Sequence, residues 1–341
     1  MTDVAAAAGV SKNTVSLALR GSPRIAAATR KRVGEVAAAL GYHLNPTVAR
    51  LMAQLRQIRA PGYQATLGLV NAHRDRDAII KHPTIPCYVE GCRRRAKHLG
   101  YQLDEIWLHD PDLTAQRWLA ILRARNIRGL IIVGMMEQNR LPRHLEPVWH
   151  EVPAVVTGVR TRDPAMSFAC SDQHALALMA IEKAMALGYQ RPGMVLDGVI
   201  DGLTEGRFTA GFLTGQSRLV PARRRTKPFF DVAAARKDPG LFATWMKSNR
   251  PDVIFTLYHE VKRWLHGLGL DVPGDVGLIQ YEWREDHRDW AGMNQHNDLA
   301  GEAALDMLVT MIHHNEHGLP ANPRATFISP SWVDGTSVRC G

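Results

Sequence analysis

Positive charge is crowded into one end of this chain. Residues 1–60 carry nine basic side chains (Lys12, Arg20, Arg24, Arg30, Lys31, Arg32, Arg50, Arg56 and Arg59) against two acids, Asp3 and Glu35, which is +7 of a formal +9 over 341 residues. Charge this localised divides the chain into a small polyanion-facing module and a large, nearly neutral remainder. A chain of 341 residues also exceeds a single hydrophobic core and suits two or three domains. With 45% hydrophobic and 22% charged residues it reads as soluble and globular. No apolar run reaches the roughly 18–20 residues of a membrane span. The N-terminus lacks a signal-peptide layout, because Asp3 comes early and Val4–Val10 gives way to a polar turn. Cys87, Cys92, Cys170 and Cys340 form no CxxC pair, as expected of reduced thiols in a cytoplasmic protein. Cys87 and Cys92 lie five apart on an expected helix, which argues against a bridge between them.

The basic end has the order of a DNA reader. An Ala-rich helix over residues 3–8 stops at Gly9, and Ser11 is a good N-cap for a second helix from Lys12 to about Leu19. Helix, tight turn and capped helix make a helix-turn-helix. Val4, Ala8, Val10, Val15 and Leu19 then face inward, while Lys12, Asn13, Ser16 and Leu17 face out, where side chains reach base edges. Lys12 suits guanine acceptors or a phosphate, and Asn13 suits adenine. A third helix is expected over 26–40, with Ile25, Thr29, Val33, Val36 and Leu40 on one stripe and Gly41 as its stop. Next, Asn45 caps and Pro46 opens a helix that runs to about Arg56, too short to stand alone in water.

Taken together, Asp3-Val4-Ala5, Gly9-Val10-Ser11, Thr14-Val15-Ser16, Thr29-Arg30, Gly41-Tyr42 and Asn45 resemble the lactose/galactose-repressor (LacI/GalR) family of bacterial transcription regulators. The resemblance is dense over residues 1–56 and confined to architecture and scattered motifs beyond. It implies DNA contacts at Ser11, Lys12, Asn13, Thr14, Ser16, Leu17, Arg24, Thr29, Arg30, Tyr42, Asn45, Val48 and Leu51. In that family the short helix is a hinge that orders on DNA and drives a leucine, here Leu51, into a central base step. Without the resemblance, Leu51, Met52 and Leu55 would equally read as a small packing face. Three departures stand out. Leu17 occupies a position usually held by Arg, which exchanges a guanine contact for packing on a thymine methyl. Ala26 replaces a Ser or Thr cap, at a cost of about 1 kcal/mol to the third helix. Met1 falls where the family has the Leu of a Thr-Leu pair, so the natural start is expected slightly upstream.

From Thr66 onward, apolar runs alternate with helical stretches. Strands are expected at Thr66–Val70, Tyr101–Leu108, Gly129–Val133, Ala154–Thr157, Ser167–Cys170, Gly193–Leu196, Val253–Leu257 and Val276–Gln280. Helices are expected near Pro86–Leu99, Thr114–Asn126, Asp172–Leu187, Gly206–Gln216, Leu241–Ser248 and Leu299–His313. Such alternation implies parallel sheets covered on both faces. The resemblance makes this an α/β periplasmic-binding-protein-like core of two doubly wound parallel-sheet lobes joined by three crossovers, following an all-α helix-turn-helix module. The expected divisions are 1–44 for the DNA-binding module, 45–65 for hinge and linker, and 66–341 for effector binding and dimerisation. Ligands in such folds sit beyond the carboxyl ends of the strands.

For the effector pocket the resemblance suggests Asp172, Arg207, His259, Glu282 and Gln295. Glu282 stands where sugar-binding members have Asp, and Tyr258-His259 replaces their Asn-Asp, so the usual sugar set is altered. Trp283 and Trp290 could stack on a sugar ring or simply be buried. Catalytic and cofactor signatures are absent: the sequence contains no GxGxxG, GxxxxGK[ST] or GxSxG. His259-Glu260-Val261-Lys262-Arg263 begins like HExxH without the second His, and His313, His314 and His317 read as a polar helix end rather than a metal site. Arg93-Arg94-Arg95 and Arg223-Arg224-Arg225 read as solvated surface. The expectation is a non-enzymatic, homodimeric, cofactor-free repressor of a near-palindromic double-stranded operator, modulated by a carbohydrate. The rivals are a solute-binding or enzymatic α/β protein with an incidental basic N-terminus, and a non-specific architectural DNA binder.

Overall fold

The computed structural model describes residues 2–19, 25–40 and 64–339, without the side chains of Thr2, Asp3, Lys12, Asn13 and Ser16. Three helices form the head: α1 (Thr2–Ala8), α2 (Lys12–Leu19) and α3 (Ala27–Ala39). Gly9 lies between the first two at φ +64°, a conformation that favours glycine. Val10 N–H then returns to the Ala5 carbonyl at 3.0 Å, and Ser11 Oγ accepts the Thr14 N–H at 3.1 Å, capping α2. Val4, Ala5, Ala8, Val15, Ala18, Val33 and Ala37 form the core, with Val10, Leu19, Ile25 and Val36 at its edge. The expected stripe is corrected at its end. Leu40 is 51% exposed, and Ala37, one turn after Val33, is buried in its stead. Ala26 makes no side-chain cap, as its methyl dictates.

Numbering the strands together with the helices of seven or more residues, the first lobe contains β1 (Ala65–Asn71), α4 (Ile85–Leu99), β2 (Tyr101–Trp107), α5 (Ala115–Ala124), β3 (Ile127–Val133), β4 (Ala154–Thr157) and β5 (Ser167–Ser171). The second lobe contains α6 (Gln173–Ala186), β6 (Pro192–Val195), α7 (Arg207–Leu219), α8 (Gly240–Asn249), β7 (Val253–Thr256), α9 (Glu260–Gly267), β8 (Gly277–Gln280) and β9 (Gly292–Asn294). The chain then returns through α10 (Asn297–His313) and β10 (Ala325–Ile328) to the first lobe, and crosses again to β11 (Ser331–Val333). The first sheet runs β10-β5-β4-β3-β1-β2, all parallel; the second runs β11-β9-β8-β7-β6, with β11 antiparallel at the edge. The chain therefore passes between lobes three times, near residues 171–173, 295–296 and 329–330.

Both faces of each sheet are covered, which explains the unbroken apolar runs of the strands. In the first lobe Trp118 and Trp149 meet edge to face at 5.2 Å beneath one face, while α4 and α10 cover the other. Those two helices approach backbone to backbone. A methyl on Gly91 would overlap the Asp298 carbonyl, and one on Gly301 would overlap that of Tyr88. The arginine run on α4 is tied down rather than freely solvated. Arg94 reaches Asp298 at 2.7 Å and Glu302 at 2.5 Å on α10, Arg95 reaches Asp306 at 2.7 Å, and Arg93 pairs with Glu105 on β2. The short strands β9, β10 and β11 and the helix α9 add to the elements expected from sequence.

Candidate functional site

Two sites emerge, one in the head and one between the lobes. In the head, Ser11 is exposed, and its Oγ lies 2.9 Å from Thr14 Oγ1 at the start of α2, where unpaired backbone N–H groups gather. Leu17, Thr29 and Arg30 are half-buried, and the Arg30 guanidinium donates to the Ile25 carbonyl at 2.9 Å. Lys12, Asn13 and Ser16 fall on α2, but their side chains lie outside the described residues. Arg24, Tyr42, Asn45, Val48 and Leu51 lie wholly outside them, as do Gly41, Met52 and Leu55.

The second site is a cavity of about 600 Å³ lying between the lobes. Its walls come from segments that follow strands: His73 after β1, Met135 to Glu137 after β3, Gly158 after β4, Asp197 after β6, Tyr258 and His259 after β7, and Glu282 and Arg284 after β8. This is the carboxyl-end crevice of open α/β sheets, here supplied by two sheets facing each other.

Glu282 spans the gap. Its carboxylate accepts the Thr84 hydroxyl at 2.9 Å from the first lobe and the Asn297 amide at 2.9 Å from the start of α10. Burial pushes its carboxyl above the ordinary range, against the stabilising pull of those donors and of Arg284. Two histidines are held neutral on the cavity wall. Burial, then His73 and Arg284, depress His82 to about 4; burial, then His287 and Arg284, depress His259 to about 4. His82 Nδ1 accepts the N–H groups of Thr84 (3.1 Å) and Ile85 (3.4 Å), and His259 Nδ1 lies 3.2 Å from an Arg284 nitrogen. The Tyr258 phenol, pushed up to about 12 chiefly by burial, accepts the Asp197 N–H at 3.1 Å.

Of the expected pocket residues, His259, Glu282 and Gln295 line this cavity. Gln295 also donates to the Tyr281 carbonyl at 2.9 Å, which fixes its amide. Asp172 and Arg207 stand behind the wall. Asp172 caps α6 by accepting the Ala175 N–H at 3.0 Å, and Arg207 donates to Gln173 at 2.9 Å, holding a residue that does line the cavity. Trp290 is buried edge-on to His259 at 5.1 Å, and neither it nor Trp283 reaches the wall. His82, Thr84 and Arg284 were not singled out from sequence. Their available signal was position alone, since they follow β1 and β8 in a doubly wound fold.

Residues 1–45 match the family model described as bacterial regulatory proteins, lacI family. Relatives extend the likeness beyond the head. The HTH-type transcriptional regulator reg1 of Streptomyces lividans is 24% identical over 293 residues, covering 83% of this chain and 80% of the relative. The regulator PtxS of Pseudomonas plecoglossicida is 26% identical over 301 residues, covering 85% and 80%. The head therefore matches the LacI family, and the rest of the chain resembles its regulators. LacI-family regulators bind operator DNA as dimers and are not enzymes. Among solved structures, the CelR–cellobiose complex matches with a TM-score of 0.60 at 18% identity, and the Lac repressor bound to ONPG with 0.57 at 19%. Each covers 98% of both chains, and at such identity they speak for the fold alone: a helix-turn-helix head on a periplasmic-binding-like core. No helix among the described residues is long and apolar enough to cross a membrane.

Proposed function

We propose that this chain is a LacI-family repressor whose operator affinity is set by a saccharide bound between the lobes. The observation that carries this reading is the cavity of about 600 Å³ at the carboxyl ends of both sheets, large enough for a mono- or disaccharide. Its wall alternates apolar surface (Met135, Leu203, Phe208) with hydrogen-bonding groups (Thr84, Asp197, His259, Glu282, Gln295), which suits a ring with apolar faces and hydroxyl edges. The CelR complex holds cellobiose in a protein of the same fold, which supports the class of ligand. In this reading residues 1–44 read the two halves of a near-palindrome through Ser11, Lys12, Asn13, Thr14, Ser16 and Leu17, backed by Arg24, Thr29 and Arg30. Tyr42, at the end of that module, also contacts the DNA, and residues 45–65 form the hinge and linker, with Asn45 and Val48 on the DNA and Leu51 as the wedge. Residues 66–341 bind effector and form the homodimer.

Cleft closure would change how the two lobes present the hinges and so shift the DNA-competent population. The test is a melting screen of the full chain against saccharides, followed by operator binding with and without the hit. A hit should raise the melting temperature and change operator affinity by about 5–150-fold. A ligand that binds and leaves operator affinity unchanged would refute the coupling.

A further inference from the structure

This inference rests on the reading of the cavity as an effector site and narrows the effector's chemistry. Most charged groups on the cavity wall already have an ion-pair or hydrogen-bond partner. Arg236 lies 2.6 Å from Glu260, and Glu137 lies 2.7 Å from Arg74. Asp197 accepts the Val199 N–H at 2.9 Å, and both oxygens of Glu282 are taken by Thr84 and Asn297. Of the two arginines there, Arg284 has the weaker ion pair. Its ion-pair partner among the described residues is Asp286, 3.6 Å away with a side chain 65% exposed. The atom that faces Asp286 is Nε, which is shut off from solvent and beyond hydrogen-bond distance of any described acceptor, while the side chain as a whole is only 21% exposed. A poorly matched cation in such a place is costly until an anion meets it.

Two imidazoles extend the donor set around Arg284. A guanidinium can only donate, so its 3.2 Å contact with His259 makes Nδ1 the acceptor and leaves the proton on Nε2. His82 Nδ1 accepts two backbone N–H groups, so its proton also sits on Nε2. Both rings line the cavity with Arg284. We propose that the effector is a saccharide acid, an aldonate, uronate or aldarate, whose carboxylate pairs with Arg284 beside the Nε2–H groups of His82 and His259. The neighbouring carboxylates of Asp197, Glu137 and Glu282 favour a monoanionic group over a phosphate dianion, which they would repel more strongly.

The experiment is titration calorimetry of the full chain against pentose- and hexose-derived aldonates, uronates and aldarates, each beside its neutral aldose or alditol and a sugar phosphate. An acid should bind where its neutral counterpart does not, and Arg284→Met should weaken that acid by about tenfold or more, as expected for lost charge-assisted bonds. A cooperative thermal melt and an unchanged far-ultraviolet circular dichroism spectrum of the ligand-free R284M protein would show that the variant is folded. Three results overturn the inference and leave the saccharide reading standing: a neutral sugar binding while no acid does, a sugar phosphate binding in preference to the acids, or an acid binding R284M as tightly as the parent. Failure of every saccharide, neutral and acidic, removes both.

Discussion

His82 and His259 make the cavity wall sensitive to acid. Each titrates at about 4 in the folded chain against 6.5 for a solvated ring. Between those values the unfolded chain binds more protons, so the stability tied to the neutral rings is full above about pH 6.5 and is lost as pH falls through about 4. Glu282, pushed upward by burial, acts in the opposite direction and offsets part of this. The melting temperature should therefore fall between about pH 7 and about pH 5, and the paired change His82→Asn, His259→Asn should flatten that fall. A pH profile identical in the paired variant would contradict the assignment. A saccharide acid at Arg284 should reduce the loss by giving the protonated rings a counter-charge. In the head, Leu51→Ala should weaken operator binding by about tenfold or more and leave non-specific binding almost unchanged, because an intercalated wedge works only at its own base step. Equal losses on both DNAs would refute the wedge.

Helix packing rather than surface charge holds α4 against α10. Gly91 and Gly301 allow the two backbones to touch, so Gly301→Val should cost about 1–3 kcal/mol or more, since the obstacle is a carbonyl and not a movable side chain. Arg94→Ala, by contrast, removes two ion pairs from a side chain that is 47% exposed and should cost no more than about 1 kcal/mol. Thermal melts of the two variants check the contrast, and a larger loss from Arg94→Ala would reverse it. These glycines also show where sequence reading stops. The strands at Ile127–Val133 and Ala154–Thr157 announced themselves as apolar runs because they are covered on both sides. Gly292–Asn294 and Ser331–Val333 are three residues each, too short to carry a period. Helix α9 has Val261, Trp264 and Leu265 at helical spacing, a signal that the HExxH-like run beginning at His259 masks. His259 and Glu282 reached the wall because the strands before them, β7 and β8, were legible, whereas Gln295 follows the short β9 and rested on the resemblance alone. Thr84 and Arg284 stayed hidden because the facing of one lobe's loops to the other's is set by three crossovers, not by any local pattern.

For the molecule as a whole, the concentration of charge in the first sixty residues has a direct consequence on DNA. The first sixty residues carry nine basic side chains, and used twice in a dimer they should lose affinity by about 10³–10⁵ between roughly 50 and 200 mM salt if six to ten phosphates are neutralised. The core adds only +2 of the formal +9, so the salt dependence should belong to the head and persist when the cavity is filled. The central claim is that this head, which matches the LacI family model, chooses its sequence, and that the choice has two-fold symmetry. Selection of bound duplexes from a random pool by the full-length protein at moderate salt tests it directly. The account predicts enrichment of one near-palindrome whose half-sites flank a flexible central step. Recovery of the pool without preference, at affinities that track salt alone, would contradict it.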